Sequence, residues 1–173
     1  SNTTVAATYA GNISLATNAS IGGAGDLALS GALSNSYSIT KVGAGTMTIS
    51  GTNNYSGSTI VSSGVLSLTG SLGTTNVQVD VNGILKGTGS IAGNSTINGT
   101  VAPGVNGVGK LTLGTTTLNS GGVLNIQFFG SNTPGTDWDL LETNVLNVSS
   151  SIGNEFIINL STINIINSDN IGY

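Results

Sequence analysis

The sequence predicts an all-β fold, a parallel β-solenoid with coils of about 19–20 residues, and three observations carry that prediction. An eight-residue pattern recurs at nearly fixed offsets: AGDLALSG at 24–31, AGTMTISG at 44–51, SGVLSLTG at 63–70 and NGILKGTG at 82–89, spaced by 20, 19 and 19 residues. Within each copy the apolar side chains alternate with small or polar ones, the period of a strand with one buried face. Turn-forming glycine, asparagine and serine separate these runs, and no long segment has helical periodicity.

Taken in order, residues 1–20 match the unit least, but NISLA alternates, so an N-terminal strand or cap is expected there. From 24 onward glycine holds the second place of each copy (Gly25, Gly45, Gly64, Gly83) and a large apolar residue the fourth (Leu27, Met47, Leu66, Leu85). Leu29, Ile49 and Leu68 hold the sixth place, with Ala28, Thr48, Ser67 and Lys86 expected on the outer face. A second alternating run lies midway between anchors, in SYSIT at 36–40, STIV at 58–61 and NVQVDV at 76–81. Each unit thus holds at least two short strands and cannot bury its apolar face alone. Stacking one unit on the next, with strands about 4.8 Å apart, solves that problem. The glycines are expected at corners that need a positive φ or leave no room for a side chain. Past Gly83 the next anchors are Gly109 and Gly122, with APGVNGV at 102–108 read as a protruding loop and LTL and VLNI on different faces. Residues 24–128 are therefore expected to be regular coils, and 129–173 C-terminal coils or a cap.

Composition limits function. The 173-residue chain has a hydrophobic fraction of 38%, enough to fold, yet only three Lys or Arg and seven Asp or Glu, for a net charge of −4. With Lys41, Lys86 and Lys110 as its only cations it lacks the basic patch that nucleic acid requires. Histidine and cysteine are absent, which removes thiol nucleophiles, Ser-His-Asp triads, disulfides and His/Cys metal sites. No catalytic, cofactor-binding or metal-binding residues are assigned, and no cofactor is expected. No apolar run is long enough to span a bilayer, and Ser1 is not followed by a secretory signal pattern, so an exported chain is expected to have lost its targeting sequence.

The stretch ITKVGAGTMTISGTNNYSGSTIVSSGVLSL, residues 39–68, resembles the autotransporter-associated β-strand repeat. Lys41, Gly43, Gly45, the strand Thr46 to Ile49, Gly51, Asn53 to Gly57, Thr59, Gly64 and Leu66 match that repeat in order. Residues 97–128 resemble the Ala-Pro-Gly turn and Gly-x-Leu-Thr strand that follow such repeats, and 135–148 a later passenger strand. The resemblance implies a right-handed β-helix in the surface-exposed passenger or stalk of an exported bacterial protein, secreted or held at the cell surface. The expected role is structural rather than enzymatic: a stalk segment, or a subunit that associates head to tail through its solenoid ends.

Several motifs suggest chemistry. GVNGVGKL at 104–111 imitates part of a phosphate-binding loop, but Leu111 stands where a hydroxyl is needed. Asp26 in GGAGDLAL resembles one position of a calcium-binding repeat but has no second acidic copy. Asp137, Asp139 and Glu142 form the carboxylate cluster; on a strand the two aspartates would share a face, the arrangement a polysaccharide hydrolase uses. With no histidine or arginine beside them, a glycan contact through Asp137, Trp138 and Asp139 is the more modest expectation, and makes a carbohydrate-binding adhesin the alternative to a structural role. The plain structural alternative packs Trp138 and Leu140 and leaves the acids in water. WDLLETNVL can also be drawn as a short helix with Trp138, Leu141 and Val145 on one side. Asn-x-Ser/Thr triplets, at Asn12, Asn18, Asn98 and Asn159 among others, read as asparagine ladders in turns rather than glycosylation sites.

Overall fold

The computed structural model describes residues 6–128 and 133–162, and every strand in them pairs parallel with its neighbours one coil away. The protein is an all-β solenoid of three-faced coils, with no helix among the described residues.

Strands β1 (Ala7–Tyr9), β2 (Ile13–Ser14) and β3 (Ala19–Gly22) make one coil, and β4 (Leu27–Leu29), β5 (Leu33–Ser34) and β6 (Ile39–Val42) the next. After β7 (Thr46–Ile49) and β8 (Thr52–Asn53), β9 (Thr59–Leu68) runs from the third face into the first face of the following coil. β10 (Ser71–Leu72) and β11 (Val77–Gly87) repeat that path. β12 (Ser90–Ile91), β13 (Ser95–Ile97), β14 (Thr100–Pro103), β15 (Lys110–Asn119), β16 (Val123–Phe128), β17 (Leu140–Ser149) and β18 (Ile157–Thr162) complete the stack. On the first face the register joins Ala7, Leu27, Met47, Leu66, Leu85, Val101, Leu124 and Ile158 into one column.

The core follows from that register. Met47, Ile49, Leu66, Leu68 and Leu85 point inward from the first face and are buried, against Leu33, Leu72 and Ile91 from the second and Ile39, Val61 and Val79 from the third. Ser67 sits between these apolar positions as expected but is also buried, in register with Thr48 and Lys86.

Glycine at the second place has two distinct causes. Gly64 has φ of 67°, which favours glycine, as does Gly43, outside the repeat copy, at 74°. Gly45 instead lies so close to the coil below that a Cβ there would fall 2.1 Å from the Gly25 carbonyl oxygen. The glycines at the eighth place stack similarly: a Cβ on Gly70 would lie 2.1 Å from the oxygen of Gly51.

Two expectations change past Gly83. β14 continues through Pro103, so the loop begins at Gly104 rather than at 102, and the first-face column passes through Val101 instead of through Leu111. Gly109 is no anchor of that column; β15 lies on the second and third faces and β16 on the first, which does place LTL and VLNI apart. The segment read as a possible helix is the strand β17, because its backbone pairs with β15 from Leu140 to Ser149. The expected C-terminal cap falls partly on 163–173, outside the described residues, as do 1–5 and 129–132.

Candidate binding groove

Charged and amide side chains do two jobs, bracing stacked backbones or lining an open groove. Asp26 is a brace: its Oδ1 accepts from the Thr46 N–H at 2.6 Å, joining consecutive coils. Asn12 and Asn18 accept from the N–H groups of Ala32 and Ser38, each 20 residues on. Asn53 occupies an inward position that is apolar in other coils, and is satisfied by the Leu33 N–H and the carbonyls of Gly51 and Ser71. Buried polar groups persist only with such partners. Tyr55 and Thr59 form a buried hydroxyl pair, and burial raises the Tyr55 hydroxyl above its ordinary value while the bond to Thr59 pulls it back.

The carboxylate cluster is dispersed. Residues 133–137 form a turn in which the Thr133 N–H donates to Asp137 at 2.9 Å. Trp138 bridges antiparallel to Phe128, and their rings stack with centroids 6.1 Å apart. Asp139 is 4% exposed and accepts from the backbone N–H groups of Gly109 and Gln127, both at 2.8 Å. Burial pushes its carboxyl above the usual aspartate range, and the two N–H groups draw it back down. Asp137 and Asp139 therefore do not sit side by side on a strand, and the acids do not all face water. Leu141, not Leu140, packs toward the core. Glu142 pairs with Lys110 at 2.7 Å across β15 and β17, which holds its carboxyl below the usual value, with Thr112 adding a second hydrogen bond. The loop that imitates a phosphate-binding motif leads from β14 into the strand β15, leaving no helix N-terminus to hold a phosphate.

By pinning Gly109 and Gln127, Asp139 fixes one wall of a groove of about 570 Å³. Its floor is the outer side of the first face, where Lys86, Ala102, Asn125 and Asn159 follow one another from coil to coil. Gln127 and Ser161 lie beside them in register, and Gly104 to Gly107 complete the lining. Asn159 donates to Asn125 at 3.0 Å. Among the described residues no intramolecular hydrogen bond or ion pair engages the side chains of Lys86, Asn106 or Gln127. The sequence marked Lys86 as an outward-facing place in a repeat and one of three cations, put Asn106 in a loop, and assigned Asn125 and Gln127 no role. What unites them is register between coils of unequal length, which no local motif carries.

A stack of short parallel strands around an apolar core, braced from coil to coil, defines the class: a β-solenoid repeat protein. Residues 39–68 match the family model described as the passenger-associated-transport-repeat, and within this solenoid they fit an autotransporter passenger repeat. The match spans β6 to the end of β9, about a coil and a half. No curated protein matches the chain.

Proposed function

We propose that the chain is a structural module of an exported bacterial passenger, a segment of solenoid that extends a surface stalk away from the cell. The observation that carries this reading is the passenger-type repeat at 39–68 placed inside an unbroken stack of coils. Each coil adds a parallel strand to every face and about 4.8 Å of length, so the sequence is spent on distance rather than on reactive groups. The low charge and the Ser/Thr/Asn surface suit a chain that works outside the cell. The test is protease shaving of intact bacteria carrying an epitope-tagged copy of the parent protein. Loss of the epitope without lysis supports a surface location; an epitope protected until lysis overturns it.

A second reading, head-to-tail self-association, has its own observation. In the last coil Val145, Val148, Ile157, Ile158 and Leu160 are half exposed or more, and Leu146 is 48% exposed. Among the described residues β17 pairs only with β15, and β18 only with β16. At the other end, among the described residues, β1 pairs only with β4 and all its residues are exposed. One end offers the strand edge complementary to the other, and such a heterologous contact propagates into filaments. Sedimentation velocity across a concentration series reads it out. Growth of large species that a Val148→Lys/Leu160→Lys variant suppresses supports the reading, and a concentration-independent monomer removes it.

A further inference from the structure

The geometry points to a second role for this solenoid: the groove over β11, β14, β16 and β18 is a binding site for a sparsely acidic oligosaccharide, with Lys86 taking a sugar carboxylate and Asn125, Gln127 and Asn106 taking hydroxyls.

The shape comes from one small residue. Lys86, Ala102 and Asn125 are consecutive positions on the outer side of the sheet, and Ala102 leaves a hollow between two longer side chains. Pro103 turns the strand into the loop Gly104 to Gly107, which lines the same groove. Gly104 holds φ of 90° there, and Asp139 holds the far side through the Gly109 N–H. The wall is therefore braced by a buried carboxylate. The floor runs across the strands, so its positions repeat at about 4.8 Å, with Lys86 and Asn125 two such steps apart across Ala102. An extended pyranose chain presents hydroxyls at a comparable interval.

The chemistry comes from what is left unpaired. The Oδ1 of Asn125 accepts from the Asn159 amide N–H, which leaves the Asn125 amide N–H groups without an intramolecular partner among the described residues. Gln127 and Asn106 add two further amides, and Lys86 an ammonium with no ion pair. Planar amides that both donate and accept suit vicinal hydroxyls, and one ammonium suits one carboxylate through a charge-assisted bond. The net charge of −4 works against a densely anionic polymer, so the ligand carries isolated acidic sugars among neutral ones. Trp138 is outside the lining and stacked on Phe128, so sugar recognition here runs through amides and one cation rather than an aromatic platform.

Titration of ¹⁵N-labelled protein with aldotriouronic acid, one glucuronate on a neutral xylobiose, tests the site against uncharged xylotriose. The expected result is saturable shifts at the amides of residues 102–107, 125–127 and 159–161, with xylotriose binding more weakly. Lys86→Gln is expected to weaken the acidic ligand about tenfold and leave the neutral one unchanged, since one charge-assisted bond is lost. Ala102→Phe, which fills the hollow from the outer face, is expected to abolish both. Both variants are checked for a wild-type amide spectrum away from the groove before titration. Absence of saturable shifts, shifts elsewhere, or equal affinity of wild type and Lys86→Gln for the acidic ligand overturns the assignment.

Discussion

The Nζ of Lys41 lies 3.1 Å from the carbonyl oxygen of Ser63, one coil further along the stack. The same ammonium donates to the carbonyls of Val42 at 3.0 Å and Gly43 at 2.8 Å, and the residue is 1% exposed. Lys41 occupies an inward place between Ile21 and Val61 in the third-face column, where every argument from pattern calls for an apolar residue. Burial lowers the pKa of its ammonium from the ordinary lysine value, while nearby Asp26 raises it. The amine closes the corner at which Gly43 and Gly64 turn the chain from the third face to the first.

Lys41→Met keeps the length of the side chain and removes the donors, leaving three carbonyls at this corner short of a partner. The expected cost is about 1–3 kcal/mol. A solenoid need not unfold in one step, so the measurement is amide hydrogen exchange: faster exchange at residues 63–66 with little change beyond residue 110 is the expected pattern. Uniform exchange in both proteins would remove the corner role.

Gly45 and Gly25 hold the same place in successive repeats and make opposite predictions. A Cβ on Gly45 meets the Gly25 carbonyl oxygen at 2.1 Å, whereas one on Gly25 meets nothing within 4 Å. Gly45→Ala is expected to destabilise by about 1–3 kcal/mol through overpacking against backbone, and Gly25→Ala to stay within about 0.5 kcal/mol. Urea denaturation of the two variants side by side reads the difference.

Asp139→Asn is nearly isosteric but replaces one of two acceptors by a donor. Either the Gly109 or the Gln127 N–H then faces an amide NH₂, at a cost of about 1–3 kcal/mol. The expected signature is local: faster exchange of those two amides and a looser wall around residues 104–109, while the core amides of Leu66 and Leu85 keep their protection.

The Lys110–Glu142 pair sits in solvent, with side chains 48% and 50% exposed, so it tunes titration more than stability. Glu142 has a lowered pKa in the fold, so its contribution is present above about pH 4.5, the unfolded value, and is lost as pH falls through the lower folded value. Lys110→Gln is expected to return the Glu142 carboxyl, followed by NMR titration, most of the way toward that value, with Thr112 retaining part of the shift. Added salt shifts the wild-type value in the same direction.

The sequence by itself determined the parallel solenoid, its coil length near 19–20 residues and the inward columns of Met47, Leu66 and Leu85, because stacking copies of one alternating unit has few other solutions. It also marked the passenger-type repeat at 39–68, where successive coils have nearly equal length. The tertiary structure decided what lies beyond the regular coils. From Leu85 the first-face offsets become 16, 23 and 34 residues, and with the period lost only backbone pairing shows that Val101, Leu124 and Ile158 continue the column. The same irregularity scatters Asp137, Asp139 and Glu142 into a turn, a backbone brace and an ion pair, and gathers Lys86, Asn106, Asn125 and Gln127 around one groove. Lys41 shows the limit most clearly. Alternation tells which side of a strand faces inward, but not that an inward lysine meets three carbonyls at a corner, since those belong to backbone geometry in two different coils.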